Sequence, residues 1–233
     1  IDEMISELNV GHAYNYGSPY QRGDYEPVGL LGVDFESGDD GWRIQRIHRG
    51  GEWDADARGP LGLPGMNIQE GDLLLAVNGL PLDPDLDPHA ALVGTAGMPT
   101  VLTVSGGADE EAREVTVTPT GYDGDLRYRS WVEDNRLAVD EASGGRVGYI
   151  HVPNTGVNGQ NELFRQFFGQ SGKDALIIDE RFNGGGQIPW RFIELLNRPV
   201  SNHWAVRNGR DWKTPYAAHH GPKCMLINGL AGS

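Results

Sequence analysis

Cysteine is almost absent from this sequence. Cys224 stands alone, so no disulfide can form within the chain and no cysteine-rich metal site can be built. Its neighbours Met225, Leu226 and Ile227 predict a buried, structural thiol. Basic residues are scarce too: 19 Lys and Arg face 33 Asp and Glu, giving a formal charge of −14. A surface of that sign repels nucleic acid and anionic membrane, so neither is expected as a partner. No run of about 18 apolar residues occurs, so no helix reads as membrane-spanning. Internal repeats and low-complexity tracts are also missing.

Glycine is abundant, at 34 of 233 residues, and 38% of the chain is hydrophobic. This composition is globular and loop-rich, and the length suffices for two modest domains. Ile1, Met4, Ile5 and Leu8 follow helical spacing until Asn9 and Gly11 break it. Nothing precedes Ile1 to cap that helix, and Ser233 comes where a further element should begin. The chain therefore reads as cut at both ends.

From residue 28 the pattern changes to short strands. Apolar or alternating runs cover 29–35, 42–47, 72–77, 101–104 and 115–118, with a short helix at 88–93. Asn78-Gly79 is a strong tight-turn signal. A polar connector is expected over 120–130. Helices are then expected at 131–139, 161–168 and 189–196, the last opening with Pro189 in its first turn. Strands are expected at 146–152, 175–179 and 225–228, the last two fully buried. Strands alternating with helices imply an α/β domain with parallel pairings. The expected domains are a helical segment and loop over 1–27, a β-rich unit over 28–119 and an α/β unit over 120–233.

Four constellations could carry chemistry. The run Arg181-Phe182-Asn183-Gly184-Gly185-Gly186 directly follows a buried strand, where ligands of open α/β sheets bind. Three glycines expose backbone N–H groups and admit a substrate closely, as an oxyanion hole requires. A plain strand-to-helix turn would read the same way. Ser233 follows small residues just beyond a strand, as a nucleophile at a sharp turn would, or as an ordinary loop serine would. A histidine could activate it as general base. Spacing alone cannot choose among His12, His48, His89, His151, His203, His219 and His220. The pair His219-His220 lacks a carboxylate or cysteine at ligand spacing and reads as surface loop. The fourth and most specific signal is Gly65-Met66-Asn67-Ile68-Gln69-Glu70-Gly71-Asp72-Leu73-Leu74-Leu75-Ala76-Val77-Asn78-Gly79. It looks like a PDZ domain of the protease-associated kind, in which a peptide adds to a sheet edge.

The order of these motifs resembles the C-terminal half of the tricorn proteases, within the broader C-terminal-processing serine peptidases. The runs Arg127-Tyr128-Arg129-Ser130-Trp131-Val132-Glu133 and Gly148-Tyr149-Ile150-His151-Val152-Pro153 belong to the resemblance, which covers nearly the whole chain. It implies a PDZ-like domain followed by a truncated, crotonase-like α/β peptidase core, with a short N-terminal helical segment. It also implies that Ser233 is the nucleophile, His12 the general base and Gly186 an oxyanion N–H donor. The family's second oxyanion donor and a downstream glutamate have no counterpart in these residues, so the 233 residues alone are expected to be inactive. The family's serine before the histidine is replaced by Gly11. Its acidic selector of basic P1 side chains is missing from Ser201-Asn202-His203-Trp204-Ala205, so a neutral or apolar P1 residue is expected.

The expected activity is hydrolysis of short peptides through an acyl-enzyme on Ser233, with no cofactor and no metal. The resemblance further implies a homo-oligomer, a hexamer in the family, and a cytoplasmic location with the periplasm as alternative. Two other functions fit less of the sequence. One is a non-catalytic PDZ-type peptide-binding module. The other is an acyl-CoA enzyme of the crotonase type, which would leave the PDZ-like unit unexplained.

Overall fold

The computed structural model describes residues 2–13, 26–38, 40–50, 58–107 and 110–232. The chain divides into two compact units, 17–131 and a second made of 1–16 with 132–233.

The first unit is built on one antiparallel sheet. Strands β1 (Val33–Gly38), β2 (Gly41–Ile47), β3 (Leu73–Val77), β5 (Thr100–Ser105) and β6 (Arg113–Val117) lie in that order, and β4 (Leu80–Pro81) pairs with β3. Alternation is clearest in β5, where Thr100, Leu102 and Val104 are buried and Val101 and Thr103 only half-buried. Leu102 and Val104 join Val33, Ile44, Leu74 and Leu92 in a continuous core. Asn78 and Gly79 adopt φ of 49° and 77°, the two left-handed residues that a tight hairpin turn requires. Only a 3-10 turn forms at Pro88–Leu92, opened by Asp87, whose carboxylate accepts from the His89 N–H at 2.8 Å.

The segment expected to be a polar connector is instead the start of helix α2 (Gly124–Ser143). Part of its polarity is spent in ion pairing. Arg127 donates to Asp123 at 2.9 Å, to the Val33 carbonyl at 2.8 Å and to the Asp34 carboxylate. His48 completes the cluster at 3.0 Å from Asp34. Burial would raise the Asp34 pKa, but the hydrogen bonds from Arg127 and His48 prevail and hold it below the usual range.

The second unit carries a parallel three-stranded sheet in the order β11 (Lys223–Leu226), β8 (Ala175–Asp179), β7 (Val147–His151). Helices α3 (Val157–Gln170) and α4 (Pro189–Leu196) place Leu163, Phe167, Phe192 and Leu195 against Ile150, Leu176 and Ile178. Each such buried side chain stabilises the fold by roughly 1.5–3 kcal/mol. Along β8, Leu176 and Ile178 face this cluster, which turns Asp179 to the opposite face.

Several expectations need correcting. Helix α1 (Asp2–Ser6) is a short stub, and Met4 and Leu8 are exposed rather than packed. Strand β11 is not buried: Cys224 is exposed and Met225 is 54% exposed. Among the described residues it pairs with β8 alone, and none of its residues enters the buried cluster. His219 is buried at 3% exposure rather than in a surface loop, and its ring Nε2 donates to the Lys173 carbonyl at 3.0 Å. The 201–205 segment holds strand β9 (Asn202–Trp204), which pairs with β10 (Trp212–Thr214). Trp204 and Trp212 face each other across this hairpin with their rings stacked at 5.4 Å. No helix among the described residues is long and apolar enough to cross a membrane.

Candidate active site at the glycine loop

The glycine loop begins where β8 ends. Asp179 is fully buried, and its carboxylate accepts from the Tyr149 hydroxyl at 2.6 Å, from the Arg181 guanidinium at 2.6–3.0 Å and from the Arg181 N–H at 2.9 Å. Burial would raise its pKa, but the donors from Arg181 and Tyr149 outweigh that and keep it ionised. Burial, and next the hydrogen bond to Asp179, push the Tyr149 phenol upward, so it stays a donor. His151, buried beside them on β7, donates from Nε2 to the Arg181 carbonyl at 3.0 Å. Burial lowers its pKa and favours the neutral ring. These three buried polar groups therefore converge on the first turn of the loop.

The loop then runs alongside the segment after β7. The Gly184 N–H donates to the Pro153 carbonyl at 2.9 Å, the Thr155 N–H to the Gly185 carbonyl at 2.9 Å, and the Ile188 N–H to the Thr155 carbonyl at 3.0 Å. A Cβ on Gly186 would lie 2.3 Å from the Thr155 carbonyl carbon and 2.4 Å from the Gly156 nitrogen. Glycine is thus required there by close backbone approach. At Gly184 the same test finds only the Pro153 oxygen at 3.9 Å. The Gly185 N–H is used as well, donating to Asn183 Oδ1 at 2.7 Å. Among the described residues, the Gly186 N–H is the glycine donor of this loop with no acceptor, and Gly186 is exposed.

The segment leading to Ser233 is tied to this loop. The Glu180 N–H donates to the Leu226 carbonyl at 2.8 Å, and the Gly232 N–H to the Asn183 carbonyl at 2.8 Å. Asn228 Oδ1 accepts from the Phe182 and Leu230 N–H groups at 3.1 and 3.2 Å. Phe182 and Leu230 are exposed, so two apolar residues flank the junction. Ser233 itself lies outside the described residues. His12 sits exposed in the turn after α1, in the same compact unit as the loop. The structure therefore ties the segment before Ser233 to the start of the glycine loop, at Glu180, Phe182 and Asn183. Asn183 and Asn228, which make the junction, were missed in the sequence. Asn183 stood in a motif valued for its glycines, and Asn228 read only as turn-forming.

Comparison with known proteins gives a consistent result. Residues 29–121 match the tricorn protease PDZ domain family. The chain is 37% identical over 237 residues to tricorn protease homolog 1 of Streptomyces coelicolor, covering 99% of this chain and 22% of that protein. It is 31% identical over 233 residues to the tricorn protease of Thermoplasma volcanium, covering all of this chain and 22% of that protein. A crystal structure of the tricorn protease superposes with a TM-score of 0.81 at 30% identity, over 89% of this chain and 20% of the other. The chain spans about a fifth of the length of these relatives. Along its whole length it is related to one stretch of the tricorn proteases, and it carries the match to their PDZ domain.

Proposed function

We propose that this chain supplies the PDZ domain and part of the catalytic site of a serine peptidase acting on short peptides. The observation that carries the reading is the Gly186 N–H. Among the described residues it has no acceptor, and it ends a hydrogen-bonded glycine loop to which the residues before Ser233 are also bonded. An oxyanion hole needs such a fixed, unspent donor.

In the proposed mechanism His12 takes the Ser233 hydroxyl proton as the oxygen attacks the substrate carbonyl carbon. The carbonyl oxygen gains the negative charge and is held by the Gly186 N–H. Collapse breaks the C–N bond, and His12 passes its proton to the departing amine. Water then repeats the sequence on the ester, with His12 again as base, releasing the acid and restoring Ser233. The exposed Phe182 and Leu230 support a neutral or apolar P1 residue.

The proposal extends to what the family resemblance implies. The domains are 1–27, 28–119 and 120–233, the last being part of a crotonase-like core. The working protein is a cytoplasmic homo-oligomer, a hexamer by resemblance, without cofactor or metal. The 233 residues alone do not turn over. A second reading, a peptide-binding module, has its own support in β1, which is an edge strand among the described residues.

An active-site-directed phosphonate separates the two readings. It should label Ser233 in the full-length protein, and Ser233→Ala should abolish both labelling and peptide hydrolysis. Hydrolysis that persists in Ser233→Ala would remove the peptidase mechanism.

A further inference from the structure

We propose that Asn183 is a positioning residue, setting the distance between the Gly186 oxyanion donor and the Ser233 nucleophile, and that Asn228 is its counterpart across the junction. The assignment rests on the serine-peptidase reading above.

Asn183 is 4% exposed, so its amide is not there for solvent. Its Nδ2 donates to the Val152 carbonyl at 3.0 Å, which ties it to the end of β7. Its Oδ1 accepts from the Gly185 N–H at 2.7 Å, one residue before Gly186. Its main-chain carbonyl accepts from the Gly232 N–H at 2.8 Å, one residue before Ser233. A single buried residue is thus bonded to the immediate neighbours of both reacting elements. Its own N–H donates to the Glu180 carbonyl at 3.1 Å, so its main chain is anchored as well.

Asn228 makes the complementary tie. Its side-chain oxygen receives Phe182 from the glycine loop and Leu230 from the segment running to Ser233. Among the described residues only its acceptor is used. At Asn183 an acceptor and a donor are both needed, because Gly185 offers an N–H and Val152 a carbonyl.

The difference gives a specific test. Asn183→Asp keeps the shape and the acceptor but sets a carboxylate against the Val152 carbonyl. Asn228→Ala removes the acceptor, and Asn228→Asp restores it. Misplacing reacting groups by about 1 Å costs on the order of 100-fold in rate. In the full-length protein, kcat should be measured per site titrated with the phosphonate, so that misfolded molecules are not counted. We expect Asn183→Asp to lower kcat on the order of 100-fold with KM within about twofold, since uniform binding is untouched. Asn228→Ala should lower kcat about tenfold, and Asn228→Asp should recover most of that loss. Should Asn183→Asp fail to fold, the Asn228 pair carries the same test, because its side chain is half-buried and Asn183 stays intact.

Unchanged kcat per titrated site in Asn183→Asp and Asn228→Ala, whatever their stability, overturns the assignment and leaves both residues purely structural. Activity that survives in Ser233→Ala overturns the underlying reading, and the positioning role falls with it. Loss of activity in Ser233→Ala together with normal Asn variants removes the positioning role alone.

Discussion

Replacing Gly186 by alanine tests the glycine loop most directly, because the consequence can be worked out from distances. The added methyl would lie 2.3 Å from the Thr155 carbonyl carbon, where ordinary contact begins at 3.4 Å. The methyl and that carbon must separate by about 1.1 Å, and the atoms the methyl meets, in Thr155 and Gly156, belong to main chain. The Thr155 peptide cannot simply retreat. Its N–H is bonded to the Gly185 carbonyl and its carbonyl to the Ile188 N–H. The glycine loop must therefore move, carrying its N–H with it. An oxyanion donor displaced by that distance loses most of its effect, and removal of one such donor costs about 100- to 1,000-fold in kcat. Gly186→Ala should fall in that range in the full-length protein, with a much smaller change in KM. Gly184→Ala is the matched comparison, because its methyl meets only the Pro153 oxygen at 3.9 Å. It should lose far less. The assay is steady-state hydrolysis of a peptide amide with an apolar P1 residue, beside titration by the phosphonate. Equal effects at the two positions, or wild-type turnover in Gly186→Ala, would refute the role assigned to this N–H.

Three further outcomes are expected. Tyr149→Phe removes a hydrogen bond to a buried carboxylate and should cost about 2 kcal/mol by denaturant titration; in an Asp179→Asn background the same change should cost much less, because the acceptor has lost its charge. Stability of the second unit should fall as pH drops below about 6.5, which is the unperturbed histidine value. Burial depresses the His219 pKa, so the unfolded chain binds the proton first. Protonation at its buried, unpartnered Nδ1 would also create a donor with no acceptor; His219→Asn should flatten this part of the curve in a thermal melt followed against pH. Gly11→Ser should be tolerated without loss of stability, since no described residue lies within 4 Å of a Cβ there; any gain in kcat measures what a hydroxyl beside His12 contributes.

Legibility in the sequence followed the strength of local signals. Helix α4 opens at Pro189 and ends at Leu196 as expected, because proline fixes the start and the apolar stripe is continuous. The Asn78-Gly79 turn was readable because few residues accept a positive φ. Failures came where tertiary partners outvoted local character. The Asp123–Arg127 stretch looked like a linker until the pairing of Arg127 with Asp123 and with Asp34 of β1 gave its charges a structural use. The β9–β10 hairpin has three-residue strands, too short for a period to register, and its stabilising contact is a tryptophan pair eight residues apart. Cys224 and Met225 looked buried because apolar composition does not show which neighbours cover a strand, and among the described residues β11 pairs with β8 alone. At the site, the glycines announced themselves, whereas the asparagines that hold them did not. An amide side chain carries no periodicity, and its role depends on which main-chain groups the fold presents to it.

The buried Asp179 makes most sense in relation to that loop. A buried ion pair is weak evidence for stability, since desolvation offsets much of its attraction. An apolar residue would fill the end of β8 at lower cost. A carboxylate at this position does something an apolar side chain cannot, because it accepts from both the backbone and the guanidinium of Arg181 and so fixes the direction in which the chain leaves the sheet. Phe182 follows at a φ of 63°, a left-handed turn unfavourable for a bulky residue. That turn is held from both sides, by Asp179 before it and by Asn228, which accepts its N–H. Strain of this kind persists only where the surroundings over-determine it. Hydrogen bonds are thus concentrated between Asp179 and Gly186, and among the described residues the donor at the far end is the one left unspent. Catalysis by preorganised hydrogen bonds requires that combination, with the supporting polar groups satisfied among themselves and one donor held in place for charge that exists only in the transition state.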